Sequence, residues 1–176
     1  MPATEIGRRL PPADEAELRK KLPGLYEPRL RDLSAFLYHG LSRQLTSMPV
    51  DIRTERDLAQ AWPEHLPQQR RYLARQVKDL EPAVAPELVT VSPARLFAAS
   101  AAMNIVLAEE AGEIVGVPVG RVFREHEHRA LGERLREQLH GIAEPGYPGD
   151  RKLTDRWADE LWMQGWYRWV AWPDLP

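Results

Sequence analysis

The feature that most limits what this chain can become is the apolar run Leu96–Ala108, broken only by Ser100 and Asn104. It is too long for a strand, where 4–8 residues is usual, at roughly the length of a buried helix. It also falls short of the ~20 apolar residues a membrane span needs. The run therefore predicts a core helix and no membrane contact. Ala98, Ala99, Ala101 and Ala102 leave little side-chain bulk, so other helices can approach closely, and this is the expected central helix. Ser92 is placed as its N-cap, with Pro93 at the first helical position. Gly112 is expected to interrupt it, and Pro118 disfavours helical backbone at Val117.

Around that helix, 176 residues suit one domain, and 43% hydrophobic with 28% charged residues argues against wholesale disorder. The absence of cysteine excludes disulfides, thiolate metal ligands and a cysteine nucleophile. Residues 1–5 lack the basic and apolar segments of a signal peptide, so a cytoplasmic protein is expected. Net charge is −2, but it is unevenly spread. Residues 1–80 carry 14 basic against 11 acidic residues, and residues 81–176 carry 10 against 15. A basic face is therefore sought first in the N-terminal half. Arginine outnumbers lysine 20 to 4, which suits forked binding of phosphate or carboxylate, and equally follows from a coding bias toward Arg, Ala and Pro.

In chain order, residues 1–12 predict a loose arm, with Arg8-Arg9 and Pro11-Pro12. A single helical domain is expected over 13–176. Asp14 is placed as the cap of a helix Glu15–Leu22 that Pro23-Gly24 ends. Leu30, Leu33, Leu37, Leu41 and Leu45 predict an amphipathic helix Pro28–Leu45. Thr46-Ser47-Met48-Pro49 is expected to break it, and a short helix runs from Thr54 to Trp62. Pro67 opens another, with Leu73, Val77 and Leu80 on one side and Arg70, Arg71, Arg75 and Lys78 on the other. Residues 81–91 read as an extended connector. A charged helix follows Arg121, with Val122, Ala130, Leu131, Leu135 and Leu139 as its apolar positions. Ala143–Arg151, with two prolines and two glycines, predicts a loop. Thr154 or Asp155 then caps a last helix carrying Trp157, Trp162, Trp166, Trp169 and Trp172, five of the six tryptophans. The expected fold is all-α, a single compact domain of roughly six to eight helices.

One short stretch bears on function. In Leu107–Arg124, Ala111-Gly112 is small where two helices would cross, Ile114 and Val115 face inward, and Gly116 suits a turn. Val117-Pro118-Val119-Gly120 leads to a second helix with Val122 inward. This stretch resembles a helix-turn-helix, most closely that of sigma-factor region 4 and response-regulator output domains. The resemblance covers about twenty residues and departs from the pattern at His126, where an apolar residue would lock the second helix to the core. It implies that Arg121, Arg124, Glu125 and His128 face DNA, with the second helix in the major groove. Independently, Arg70, Arg71 and Arg75 with Lys78 form a basic helix side that suits a nucleic-acid backbone or an acidic partner, and Tyr72 among them suits base stacking.

Glu125-His126-Glu127-His128 has metal-ligand chemistry, but helical residues two apart point to nearly opposite sides, so no metal site is expected there. No phosphate loop, nucleophile elbow or HExxH pattern is present. His39 and His65 carry no accompanying signal of catalysis. The expectation is a small regulatory binding protein without cofactor or enzymatic activity, with nucleic acid the favoured ligand. Its rival is a helical protein-protein interaction subunit or homo-oligomer, anchored by Trp162, Trp166 and Trp169.

Overall fold

The computed structural model describes residues 3–5 and 9–170. The described residues are 78% helical and form seven α-helices: α1 Pro12–Lys21, α2 Glu27–Ala61, α3 Leu66–Leu80, α4 Ala94–Val115, α5 Arg121–Arg124, α6 Arg129–Gly141 and α7 Gly146–Glu160. Strands β1 Ala3–Glu5 and β2 Tyr167–Trp169 pair antiparallel. No described helix is long and apolar enough to cross a membrane.

The alanine-rich run becomes α4, with α2, α3 and α6 packed around it. Its core residues divide between two clusters. Ala99, Ala102, Met103 and Val106 face α2, α6 and α7, while Ala101, Ile105 and Ala108 face α3 and α5. Ser92 is not its cap. The first helical residue is Ala94, whose N–H is taken at 2.9 Å by Glu17 Oε1 from α1, and this backbone hydrogen bond holds the Glu17 carboxyl below its ordinary value. Gly112 does not interrupt the helix either. The end comes at Gly116, in left-handed backbone at φ 69°, whose N–H bonds back to the Ala111 and Gly112 carbonyls.

The second departure is α2. Where a break was expected at Pro49 and a separate short helix at Thr54–Trp62, one helix of 35 residues runs through. A helix-interior proline costs about 3 kcal/mol. Leu45, Met48 and Ile52, all buried in the main core, each return about 1.5–3 kcal/mol by burial, so packing outweighs the lost hydrogen bond. A polar register mark lies on the same helix: Gln44 Nε2 donates to Asn104 Oδ1 at 2.7 Å, and Ser100 Oγ donates to Gln44 Oε1 at 3.1 Å.

The N-terminal stretch differs from a loose arm in its described part. Ala3–Glu5 is a strand, and Leu10 is buried with its N–H on Ser34 Oγ at 3.2 Å; residues 1, 2 and 6–8 lie outside the described residues. Helix α1 begins at Pro12, and Asp14, rather than capping, is buried and paired with Arg95. Residues 81–91 are not extended: they form the 3-10 turns Glu81–Val84 and Pro86–Thr90.

The expected loop Ala143–Arg151 is helical from Gly146. Pro148 sits in the first turn, where backbone N–H groups have no intrahelical partner. Gly149 is required there, because a Cβ would overlap the Glu144 carbonyl. That helix stops at Glu160. The chain turns through Trp162, at φ 56°, and Gly165, at φ 78°, and then enters β2. Trp166 and Trp169 are therefore not helical, and Trp172 lies outside the described residues.

Candidate functional site

Helix α3 buries Leu73 and Val77 against the α4 residues Ala101, Ile105 and Ala108. This turns Arg71, Arg75 and Lys78 outward, with Tyr72 58% exposed beside them. Arg70 lies on the flank nearest α4, and its Nη2 donates to the Gly116 carbonyl at 3.1 Å. The acceptor is the C-terminal end of α4, where carbonyl groups lack intrahelical partners and the helix dipole favours a cation. At the other end of α3, Glu81 Oε1 sits 3.2 Å from where a Cβ on Gly120 would be. The turn 116–120 thus runs alongside α3. Val117 and Val119 point inward from it to the smaller core.

The turn delivers α5, a single helical turn anchored by the fully buried Phe123. Arg121 and Arg124 stand exposed on it. Arg121 Nε bonds Glu125 Oε2 at 2.6 Å, with Arg121 80% exposed. Five of the expected nucleic-acid residues, Arg70, Arg71, Arg75, Arg121 and Arg124, are therefore exposed on α3 and α5, and of these Arg70 bonds the turn that joins α4 to α5. His128 does not share it. It precedes α6, its ring 5.6 Å from Phe97 and 5.4 Å from His126.

The two histidines come together because residues 126–128 are a turn, not the helix that would have separated them. His126 Nε2 donates to the Val84 carbonyl at 3.1 Å, and Nδ1 accepts the His128 N–H at 3.1 Å. Both ring nitrogens are engaged, leaving none for a metal. Burial, together with the neighbouring His128, pushes the His126 pKa down. The polar residue where the resemblance asks for an apolar one is thus accommodated by a backbone carbonyl.

The acidic residues of α4 lie elsewhere. Glu110 is fully buried, and its carboxylate receives Arg56 from α2, Arg136 Nε from α6 at 2.7 Å and His140 Nε2 at 3.0 Å. Glu113 pairs with Arg136, and Glu109 lies 3.6 Å from Arg129 Nε. Hydrogen bonding to Arg136 holds the Glu113 carboxyl low, whereas desolvation raises that of Glu109. Burial alone would lower the Arg136 pKa, but its bonds to Glu113 and Glu110 raise it.

Sequence reading missed this centre, although one signal was present: Glu110 falls three and four residues beyond Leu107 and Val106, on the apolar side of α4. A cleft of about 470 Å³ lined by Arg56, Gln60, Leu66, Glu113, Ile114 and His140 adjoins it. Glu110, Glu113 and His140 each offer a ligand atom within 4.8 Å of the others. Arg56 and Arg136 already neutralise both carboxylates, so a cation would have to displace them.

The tryptophans expected as a partner surface do not form one exposed patch. Trp162 is 50% exposed. Trp166 is buried and stacks on Tyr38 at 4.8 Å, while Tyr38 Oη donates to the Trp166 carbonyl at 2.5 Å. Trp169 is half-buried and donates Nε1–H to Asp155 Oδ1 at 2.8 Å, the atom that also accepts Tyr167 Oη at 2.7 Å. The group is separated because it straddles the end of α7 and β2. Comparison with family models, with curated proteins and with solved structures gave no match.

Proposed function

We propose that this is a small binding protein whose ligand is a nucleic-acid backbone, held on the face built from α3 and α5. The observation that carries the reading is the bond from Arg70 Nη2 to the Gly116 carbonyl. It ties Arg70 of α3 to the turn that presents Arg121 and Arg124, which supports a shared surface for the two basic groups. Guanidinium groups pair with phosphate oxygens in a fixed fork. Exposed Tyr72 adds a stacking ring at the edge.

Part of the acidic balance of the C-terminal half is taken up away from this face. Glu109, Glu110 and Glu113 are paired with Arg56, Arg129 and Arg136 rather than rimming Arg121 and Arg124. Of the acids that border the face, Asp79 and Glu125 pair with Arg75 and Arg121, while Glu81 lies against Gly120 and Glu127 lines a cleft with Arg121 and Glu125. A one-turn α5 presents too short a row of side chains to read several bases along a major groove. The expected contact is mostly with phosphate, and sequence preference is weak.

The test is fluorescence anisotropy of a labelled duplex across a salt series. Each phosphate contact contributes a slope of about −0.9 to log K against log salt. Arg121→Ala/Arg124→Ala and Arg71→Ala/Arg75→Ala are each expected to weaken binding and to flatten the slope by about 1–2. Absence of binding at low salt, or a slope that neither double variant changes, overturns the proposal.

A further inference from the structure

The cleft of about 470 Å³ beside Glu110 is not used by the nucleic-acid reading. Its volume falls within the range of about 300–1,000 Å³ in which proteins hold small molecules. Part of its lining is apolar: Ala59 of α2, Leu66 at the start of α3 and Ile114 near the end of α4. The rest is polar, and it is partly committed. Arg56 is held in place, with Nη2 on Glu110 and Nη1 toward His140 Nδ1 at 3.2 Å. A guanidinium has five N–H groups, and those of Arg56 that remain have no hydrogen-bond acceptor among the described residues. Glu113 gives Oε1 to Arg136, while its Oε2 stands 3.9 Å from Arg56 Nη2, beyond hydrogen-bond reach. The Gln60 side-chain amide is exposed and has no partner among the described residues.

We propose that this cleft binds a free α-amino acid with an aliphatic side chain. Such a molecule carries an ammonium and a carboxylate on one carbon, so its two charges need an anion and a cation side by side. Glu113 Oε2 and Arg56 Nη2, 3.9 Å apart, are such a pair. The ligand's carboxylate accepts from the open N–H groups of Arg56 and from the Gln60 amide, and its ammonium donates to Glu113 Oε2. Its side chain lies on Ala59, Leu66 and Ile114, where release of water favours binding. Net charge narrows the choice of ligand. Arg56 and Arg136 balance Glu110 and Glu113, and a zwitterion keeps the cluster neutral. A lone anion or a lone cation would add an uncompensated charge beside the fully buried Glu110. His140 braces the guanidinium and makes no contact with the ligand, since its Nε2 faces Glu110 and its Nδ1 faces Arg56. The proposal is independent of the nucleic-acid reading, since none of these residues is among Arg70, Arg71, Arg75, Arg121 and Arg124.

NMR titration of the isotope-labelled full chain with L-leucine tests it. Saturable shifts of the Ile114 methyl and Gln60 side-chain signals are expected, with a Kd of about 1 mM or tighter. L-leucinamide lacks the carboxylate, N-acetyl-L-leucine lacks the ammonium and glycine lacks the apolar side chain. Each is expected to bind about tenfold more weakly or worse. Glu113→Gln should raise the Kd for L-leucine by about tenfold and Gln60→Ala by about threefold. Both positions are exposed, so circular dichroism should show unchanged helicity. Absence of saturable shifts up to about 20 mM L-leucine, well above that Kd, overturns the proposal. So does a leucinamide, N-acetyl-leucine or glycine that binds as tightly as L-leucine, or a Kd that either variant leaves unchanged.

Discussion

His140 Nε2 on α6 lies 3.0 Å from Oε1 of Glu110 on α4. A carboxylate only accepts, so this nitrogen carries the hydrogen. The other, Nδ1, faces Arg56 Nη1 at 3.2 Å and must accept, because a guanidinium only donates. The imidazole is thereby fixed in one tautomer between α2 and α4. Glu110 is the hub of the arrangement, being fully buried and touched by groups from two other helices.

Removing that hub leaves two half-buried guanidinium groups without their shared anion. Glu110→Ala is expected to cost about 3–5 kcal/mol, or roughly 10 °C in Tm for a chain of this size. Glu110→Gln, which keeps the volume and one acceptor, should cost less. Urea unfolding checks both, and a loss under about 1 kcal/mol for the alanine variant would mean that Arg56 and Arg136 find other partners.

Two glycines should respond in opposite directions. Gly149→Ala forces a methyl into the Glu144 carbonyl and crowds Arg53, with an expected loss of about 1–3 kcal/mol. Gly40→Ala meets nothing within 4 Å in the interior of α2, with an expected gain of about 0.5–1 kcal/mol. Denaturant midpoints compare them directly.

The tryptophans should divide by burial rather than by sequence proximity. Trp157 is fully buried and its Nε1–H donates to the Leu135 carbonyl at 3.0 Å, so Trp157→Ala is expected to cost about 3–5 kcal/mol. Trp162 is 50% exposed, and Trp162→Ala should cost less than about 1.5 kcal/mol. Thermal unfolding of the two variants would contradict the placement if their order reversed.

Acid should weaken the joint between α5 and α6. The His126 pKa is depressed in the folded protein, chiefly by burial, from an ordinary value of 6.5. Above 6.5 neither folded nor unfolded histidine is protonated, and the contribution of the neutral ring, bonded to Val84 and His128, is fully present. As pH falls below 6.5 the unfolded chain takes up a proton first, so stability declines until the folded pKa is passed. Wild type minus His126→Gln stability, measured from pH 8 downward, should therefore shrink on acidification. A constant difference would refute the linkage.

Much of the architecture was legible along the chain. Leu96–Ala108 predicted the central helix, and the leucine spacing in Pro28–Leu45 predicted the inward side of α2. The same logic correctly divided α3 into a buried side at Leu73 and Val77 and a basic side at Arg70, Arg71 and Arg75. The failures cluster at punctuation residues. Pro49, Gly112 and the Gly146–Gly149 stretch were read by local cost, and packing outweighed it. The Trp-rich segment was read as one helix, although its pairing partner, Ala3–Glu5, stands at the opposite end of the chain.

By itself, then, the sequence determined the central helix and the inward sides of α2 and α3, because these follow from the spacing of apolar residues within a few turns. Only the tertiary structure decided what those helices bring together. Glu110 meets Arg56 and His140 across separations of 54 and 30 residues, and Arg70 meets Gly116 across 46. Such contacts depend on how helices cross, which local periodicity does not encode. A buried carboxylate is tolerable only when its cations arrive from elsewhere in the fold.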